Sequence, residues 1–453
     1  MGGALLLGVM AALPAAGIAK VAPEAAARLG GALTPIGAER AASADGAIPE
    51  WTGGLRSPPP CFTAVQGGGQ GRYCDPFVGE QPLFTITAAN AGQYRDHLSA
   101  GQLALLERYP DSYRMPVYRT RRSFANPDFI YAATARNALS ATLDQGGEAL
   151  VDAATGIPFP LPETGREVIW NHRTRYRGVA VRRWNNQFAV TQSGDYNRTR
   201  FREDILFNYS APSVDPKARG GVLMYFLQVA TAPERLAGSI LLIHDSLDPG
   251  AEPRQAWQFS PGQRRLRKAP NIGYDNPGMG ADGLRTNDQL DTFSGGMDRY
   301  EWKLVDKQTL FVPANSYRLH SGALRYPDIV QRNHIDQNLS RYELRRVWVV
   351  DATLKANATH QYRRRRFYVD EDGWQIRVVD IHDARNQLWR VQETHTVMAY
   401  DRLYELPVCE TVYDLQSGRY LVQALNNEDP ETAEASFDAE HFKSSSASKL
   451  AKE

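Results

Sequence analysis

Cysteine and lysine are both scarce in this chain of 453 residues. Its three cysteines include no CxxC pair, and no histidine pair stands at ligand spacing, which excludes a zinc-ribbon or zinc-finger domain. Of 52 basic residues 9 are lysines, leaving 43 arginines, and 51 acidic residues oppose them. The formal charge is therefore +1, and no global positive field exists to hold nucleic acid or an anionic membrane. A GC-rich genome explains the arginine bias more simply than a wealth of carboxylate or phosphate contacts does. The signatures HExxH, GxSxG and the Walker loop are all missing, so the sequence offers no ready metalloprotease, serine hydrolase or nucleotide-hydrolysing centre. What is present is a chain 42% hydrophobic and 23% charged, with 27 prolines and 37 glycines. That composition suits a globular, loop-rich β protein with a sizeable core.

The stretch 341–400 organises the rest. RYELRRVWVV, HQYRRRRFYV and WQIRVVDI, followed after HDARNQ by LWRVQETHTVMAY, are rich in β-branched and aromatic residues and free of proline. They read as strands joined by short turns, DEDG being one of them. Upstream, RYRGVAVRRW, QFAVTQSG, FLQVATAPERLAGSILLIHDSL, RQAWQFS, QRRLRKA, RYEWKLV and TLFVP supply further strands, with turns at 260–262 and at Asp306 and Lys307. Consecutive strands without intervening helices imply one large antiparallel sheet, and so large a sheet must curl or close.

Two helices precede most of that sheet. Helical spacing runs from Ala88 to Tyr109, with Thr87 as cap and Pro110 as stop, and again from Asn126 as cap to Gly146 and Gly147 as terminator. Before them, GAERAASADGAIPEWTGGL has turn chemistry and no periodicity, and should lie over the body as a strap anchored by Trp51. Residues 1–19 are an apolar leader with Gly17 and Ala19 at the small positions of a cleavage site, although its basic start is missing. The expected organisation is leader 1–19, one β-rich domain 20–425, and a partly ordered tail 426–453. Cys61 and Cys74 bracket a glycine-rich loop that cannot order itself, so a disulfide between them is expected, with Cys409 a buried apolar residue.

Several motifs invite chemistry and are read more plainly. Gly278, Gly280 and Gly283 spell GxGxxG without a preceding apolar strand, which makes a loop rather than a nucleotide cradle. Asp370, Asp372 and Gly373 echo a calcium loop but lack its closing glutamate. The four arginines 363–366 split two and two across a strand, so they pair across strands, with Glu343, Asp380 and Glu393 as candidates; an acidic head group is the functional alternative. Asn171 and His172 in WNHRTRYRG form either a functional polar pair or a hydrogen-bonded corner locking the strap or helical layer. No metal or cofactor is implied.

GAERAASADGAIPEWTGGL, PFPLPETGREVIWNHRTRYRG, QRRLRKAPNIGYDNPGMGADGLRTNDQLDTFSGGMDRYEWKLV and RRRRFYVDEDGW together resemble the proteobacterial domain-of-unknown-function family thirteen twenty-nine, itself similar to the LolA and LolB lipoprotein carriers. The resemblance implies an α+β, mainly β fold: a large curved antiparallel sheet, a half-open barrel whose concave side is covered by helices and the strap. It also implies a periplasmic carrier that works beside an RND-type inner-membrane exporter and an outer-membrane protein. On that reading Trp257, Phe259, Tyr300, Trp302, Phe311, Trp348, Tyr368 and Trp389 face one concavity that accepts a hydrophobic or lipid-like ligand, with Arg264, Arg265 and Arg299 at its rim and Asn171 and His172 nearby. The protein is expected not to be an enzyme; the alternatives are an envelope adaptor without ligand and a hydrolase of an envelope lipid or glycan using Asn171 and His172.

Overall fold

The computed structural model describes residues 21–63, 72–212, 221–263, 265–269, 272 and 274–450. The expected leader, Arg264 and the middle of the glycine loop between Cys61 and Cys74 lie outside the described residues. The helices are α1 (Pro23–Ala26), α2 (Ala100–Arg108), α3 (Asp128–Ser140), α4 (Gly165–Thr174), α5 (Tyr326–Ile329) and α6 (Ser444–Leu450). The strands are β1 (Phe84–Ile86), β2 (Met115–Val117), β3 (Thr142–Leu143), β4 (Leu150–Val151), β5 (Ala180–Val190), β6 (Tyr196–Leu206), β7 (Val222–Ala232), β8 (Ile240–Ser246), β9 (Gln255–Ser260) and β10 (Arg265–Lys268). They continue with β11 (Tyr300–Pro313), β12 (Tyr342–Leu354), β13 (Arg364–Asp370), β14 (Ile376–His382), β15 (Leu388–Ala399), β16 (Tyr404–Asp414), β17 (Tyr420–Leu425) and β18 (Ala433–Glu434).

All strands but β3 and β4 join one 16-stranded sheet in the order β1-β2-β12-β13-β14-β15-β16-β17-β5-β6-β7-β8-β9-β10, with β11 also on β12 and β18 on β5. Pairing is antiparallel except for a single contact of Tyr342 with Val117. The outermost strands β1 and β10 do not meet, so the sheet curves without closing. Because the chain returns at β17 to pair with β5, the first and second halves of the sequence are welded at the centre of the sheet.

Both faces of the sheet are covered. Over β11 to β15, α2 and a 3-10 helix (Ala91–His97) bury Leu98, Leu105 and Leu106 against Val347, Val378 and Val391. On the opposite face α4 and the loop 277–299 bury Trp170 and Phe293 against Val350, Phe367, Val369 and Ile381. The strap is held as expected: Trp51 is buried and donates its indole N–H to the Phe124 carbonyl at 2.9 Å. Cys61 and Cys74 form the expected disulfide, which suits an oxidising compartment, and Cys409 is free and buried. No helix among the described residues is long and apolar enough to cross a membrane.

Several elements differ from the sequence reading. The expected long helix after Thr87 is two pieces, because Leu98 is extended and Ser99 starts α2 with a capping box to Gln102. In α3 the N-cap is Pro127; Asn126 instead donates to the Leu403 carbonyl at 2.9 Å, and the helix ends at Ser140, ahead of the β3–β4 hairpin. Asp306 and Lys307 do not turn the chain: β11 runs through them and absorbs the irregularity as a bulge. The strand β6 does not read as one because YNRTRFREDIL carries five charges in its eleven residues, yet its carboxylates pair across to β5, Arg182 with Asp204 and Arg183 with Glu203. The stretch beyond 425 is packed rather than loose where described, with Phe442 and Ala447 buried against β7 and β8.

Candidate functional site

The GxGxxG stretch opens the most informative segment of the molecule. The loop 277–299 does not hang in solvent; it crosses one face of the sheet from β6 to β13. Gly280 sits so close to Thr199 on β6 that a Cβ would lie 2.5 Å from its hydroxyl, and its φ of +68° suits glycine alone. The Met279 carbonyl then accepts from Gln187 on β5 at 3.0 Å, and Arg285 donates to Gln423 on β17 at 2.8 Å. Gln289 donates to Gln392 on β15 at 3.1 Å, the Thr292 and Thr394 hydroxyls meet at 2.6 Å, and Asp288 accepts from Arg365 on β13 at 2.8 Å. Phe293 fills the last stretch against Phe367, and Leu284 and Met297 are buried as well.

Where the loop crosses from α4 to the sheet it makes a charged latch. Thr164 and Glu167 form the capping box that starts α4, and the helix delivers Arg173, with Arg175 and Arg177 just beyond its end. The Asp291 carboxylate accepts from both Arg175 and Arg177, while Asp245 on β8 accepts from Arg254 at 2.8 Å and from Arg173 at 3.2 Å. Arg254 also donates to the Ser294 carbonyl. Asp291 is held well below the usual carboxylate range, since the neighbouring Arg175 and Arg177 outweigh its burial. Burial pushes the Arg177 guanidinium down, to about 9, and lowers Arg173 as well. Asp291 and Thr292 both have positive φ, +51° and +65°, a conformation that costs a β-branched threonine.

Beneath this latch lies a small, mainly apolar cavity of about 60 Å³. Ile205, Phe207, Met224, Phe226 and Ile243 form its apolar wall, Leu290 closes it from the loop, and Arg177, Arg183 and Arg254 also line it. These side chains belong to an apolar cluster on β5 to β9 that α4 does not cover. The volume is below that of an aromatic ring's cavity, about 150 Å³, so an acyl chain enters only if the segment 290–294 lifts.

The aromatic residues singled out from sequence do not converge here. Trp257 and Phe259 lie on the far face of β9 beneath α6. Phe311 and Tyr368 pack under α2, where Tyr368 donates to Asp380 at 3.2 Å. Tyr300, Trp302, Trp348 and Trp389 join the cluster under α4, Trp348 stacking on Trp374. Twist and the return at β17 put equal parities of distant strands on different surfaces, so the single concavity is not formed by these side chains. Arg265 is exposed at the edge strand, and Arg299 pairs with Asp275 at 3.6 Å.

Asn171 and His172 are the corner rather than exposed chemistry. Asn171 holds both the amide and the carbonyl of Phe159, at 2.9 and 2.6 Å. His172 Nδ1 lies 3.2 Å from the Ile376 N–H and 3.1 Å from the Trp374 carbonyl, and Nε2 lies 2.9 Å from the Asp291 carbonyl, so a neutral ring has a backbone carbonyl to donate to in either tautomer. Burial lowers its pKa to about 3, so the ring is neutral and braces the latch. The arginine run 363–366 pairs across strands, but with other acids than expected: Arg366 with Asp351, and Arg365 with Asp288. Asp370 and Asp372 are taken by Arg377, Arg122 and Arg345. The cavity wall and Arg254 were missed because no local pattern marks them, whereas the T-x-x-E capping box of α4 was there to be read.

Comparison with known proteins places the chain. The family described as Protein of unknown function (DUF1329) matches residues 85–450. An uncharacterized protein of Pseudomonas aeruginosa is 46% identical over 422 residues, covering 93% of this chain and 92% of that one. Among solved structures, a Desulfovibrio piger DUF1329 family protein is 13% identical and covers 62% of this chain and 97% of that one, with a TM-score of 0.43. A Vibrio parahaemolyticus domain described as an outer membrane lipoprotein-sorting protein covers the same shares at 12% identity and a TM-score of 0.43. A LolA superfamily protein from Nitrosomonas europaea is 12% identical, covers 63% and 99%, and has a TM-score of 0.37. With a family match and a full-length relative both spanning most of its residues, the chain belongs to the DUF1329 family.

Proposed function

We propose that the protein is a non-catalytic carrier that holds a hydrophobic or lipid-like ligand in the cavity beneath the segment 290–294. The observation that carries this reading is the pairing of an apolar wall, from Ile205 to Ile243, with a loop held over it by polar contacts that can be exchanged. Burial of the ligand's apolar surface supplies affinity, and movement of the loop sets uptake and release. The Cys61 and Cys74 disulfide supports work in the periplasm, where the carrier passes its ligand between an inner-membrane exporter of the RND type and the outer membrane. The closed cavity is the resting state, with the ligand entering as 290–294 lifts.

Native mass spectrometry of protein released gently from the periplasm tests this directly. A bound species of lipid mass that disappears when Phe226 is replaced by Glu is expected. Bare protein that also refuses alkyl ligands in vitro would leave the adaptor reading, a filled core with partners on the outer surface, in its place.

A further inference from the structure

The latch over the cavity is itself a carboxylate, and the cations around it exceed the anions. Among the described residues the ion-pair partners of Arg173, Arg175, Arg177 and Arg254 are Asp245 and Asp291, with Glu148 and Glu410 further off. Several of their buried N–H groups have no partner among the described residues: Nε of Arg177, Nη1 of Arg254, Nε of Arg175, and Nε and Nη1 of Arg173. Arg177 and Arg254 both line the cavity, so donors without acceptors stand beside its apolar wall. His172 is neutral and donates to a backbone carbonyl, so it cannot offset or add to this charge. Of the other charged groups on the lining, Arg183 is matched by Glu203, and Glu405 accepts from Arg377 on Oε1 while its Oε2 has no partner among the described residues.

We propose that the ligand is an amphiphile with one anionic head group, a carboxylate or a phosphate, which takes the place of the Asp291 side chain on Arg177 and bonds Arg254. The inference rests on the carrier reading above and names the class of molecule carried. Exchange of one oxyanion for another preserves the charge-assisted bond on Arg177, while Arg175 gives up its carboxylate and keeps its bond to the His172 carbonyl at 2.6 Å. The same exchange releases Asp291 and Thr292 from their positive-φ conformation and lifts Leu290 from the cavity, making room for the alkyl chain. Neutral lipids can use the apolar wall, but for them the latch opens with no anion to replace Asp291 on Arg177, at the full cost of unpairing it. The basic groove over 364–366, the rival site, offers fewer such donors: Arg366 is satisfied by Asp351, and Arg346 and Lys307 by Glu371, and of the N–H groups on its lining arginines only Nε of Arg364 is buried without a partner among the described residues.

Calorimetric titration of the full chain near neutral pH with dodecanoate, dodecyl phosphate and dodecanol tests the proposal. Each anion should bind about tenfold or more tightly than dodecanol, as charge-assisted bonds to a desolvated guanidinium imply. Whichever anion binds the tighter assigns the head group to a fatty acid or to a phospholipid. Arg254→Gln and Arg177→Gln should erase most of that preference, read as the ratio of anion to dodecanol affinity within each variant. Asp291→Asn should tighten both anions about tenfold, because their competitor is gone, an effect that a merely structural role for Asp291 would not produce. Equal binding of dodecanol and the anions by the wild-type chain overturns the head-group inference and leaves the carrier standing. Binding of none of the three overturns both, and the wild-type comparison decides even if a variant fails to fold.

Discussion

The two faces of the sheet bury carboxyl groups in opposite ways. Under α2, Asp380 accepts from Ser99 and the Gly101 amide, and Glu393 from Gln102, Tyr113 and Tyr342; no cation is bonded to either, and burial raises both pKa values. Under the loop 277–299, Asp288 and Asp291 are bonded by arginines, which lower theirs. The α2 face is closed by apolar burial and neutral hydrogen bonds, neither of which a ligand can replace. The loop face is closed by ion pairs, which another anion can. A lid that must open belongs on the second kind of seal.

That contrast can be broken or sharpened by experiment. Leu105→Ala, in the α2 seal, should cost about 2–5 kcal/mol in denaturant unfolding and leave ligand uptake alone. Asp291→Asn should cost about 3–5 kcal/mol, as loss of one partner of a buried ion pair does, but here the loss should shrink when dodecanoate is added; equal losses with and without ligand would remove the distinction between the seals. Acidification should weaken the loop face through His172, whose pKa falls from 6.5 to about 3 on folding. The unfolded chain then binds the extra proton between those values, so stability drops as pH falls through that window. Urea midpoints for the wild type and His172→Asn should converge on acidification; parallel curves count against a buried neutral ring. The smallest effect is expected at Glu393, whose folded pKa is raised, so its contribution is fully present below the ordinary 4.5 and declines as pH rises above it. Glu393→Gln should therefore gain on the wild type by about 1 kcal/mol on moving from mildly acidic to alkaline buffer, as read by thermal melts.

Much of the sheet was legible along the chain. The stretch 341–400 gives β12 to β15 within a few residues, because runs of β-branched and aromatic residues between polar turns suit no other structure. The strand β6 was not legible, since its arginines and carboxylates look like a solvated segment until β5 is set beside them. Trp51 as the strap's anchor and the disulfide followed from local composition. The candidate site did not. Ile205, Phe226 and Ile243 come from three strands, and the loop that covers them reads as a featureless glycine-rich turn.

Alternation and turn residues are local properties, and they set most of the long strands and the disulfide loop from the order of residues alone. Which charges would meet was decided only when β17 closed onto β5 and drew α4, the loop and β8 together. Asp291 lies over a hundred residues from Arg175 in sequence, and its effect on Arg175 and Arg177 depends on burial that no stretch of chain specifies by itself. Charge pairing in a desolvated interior is a property of the assembled surface, so the latch and the cavity beneath it exist only in the folded molecule.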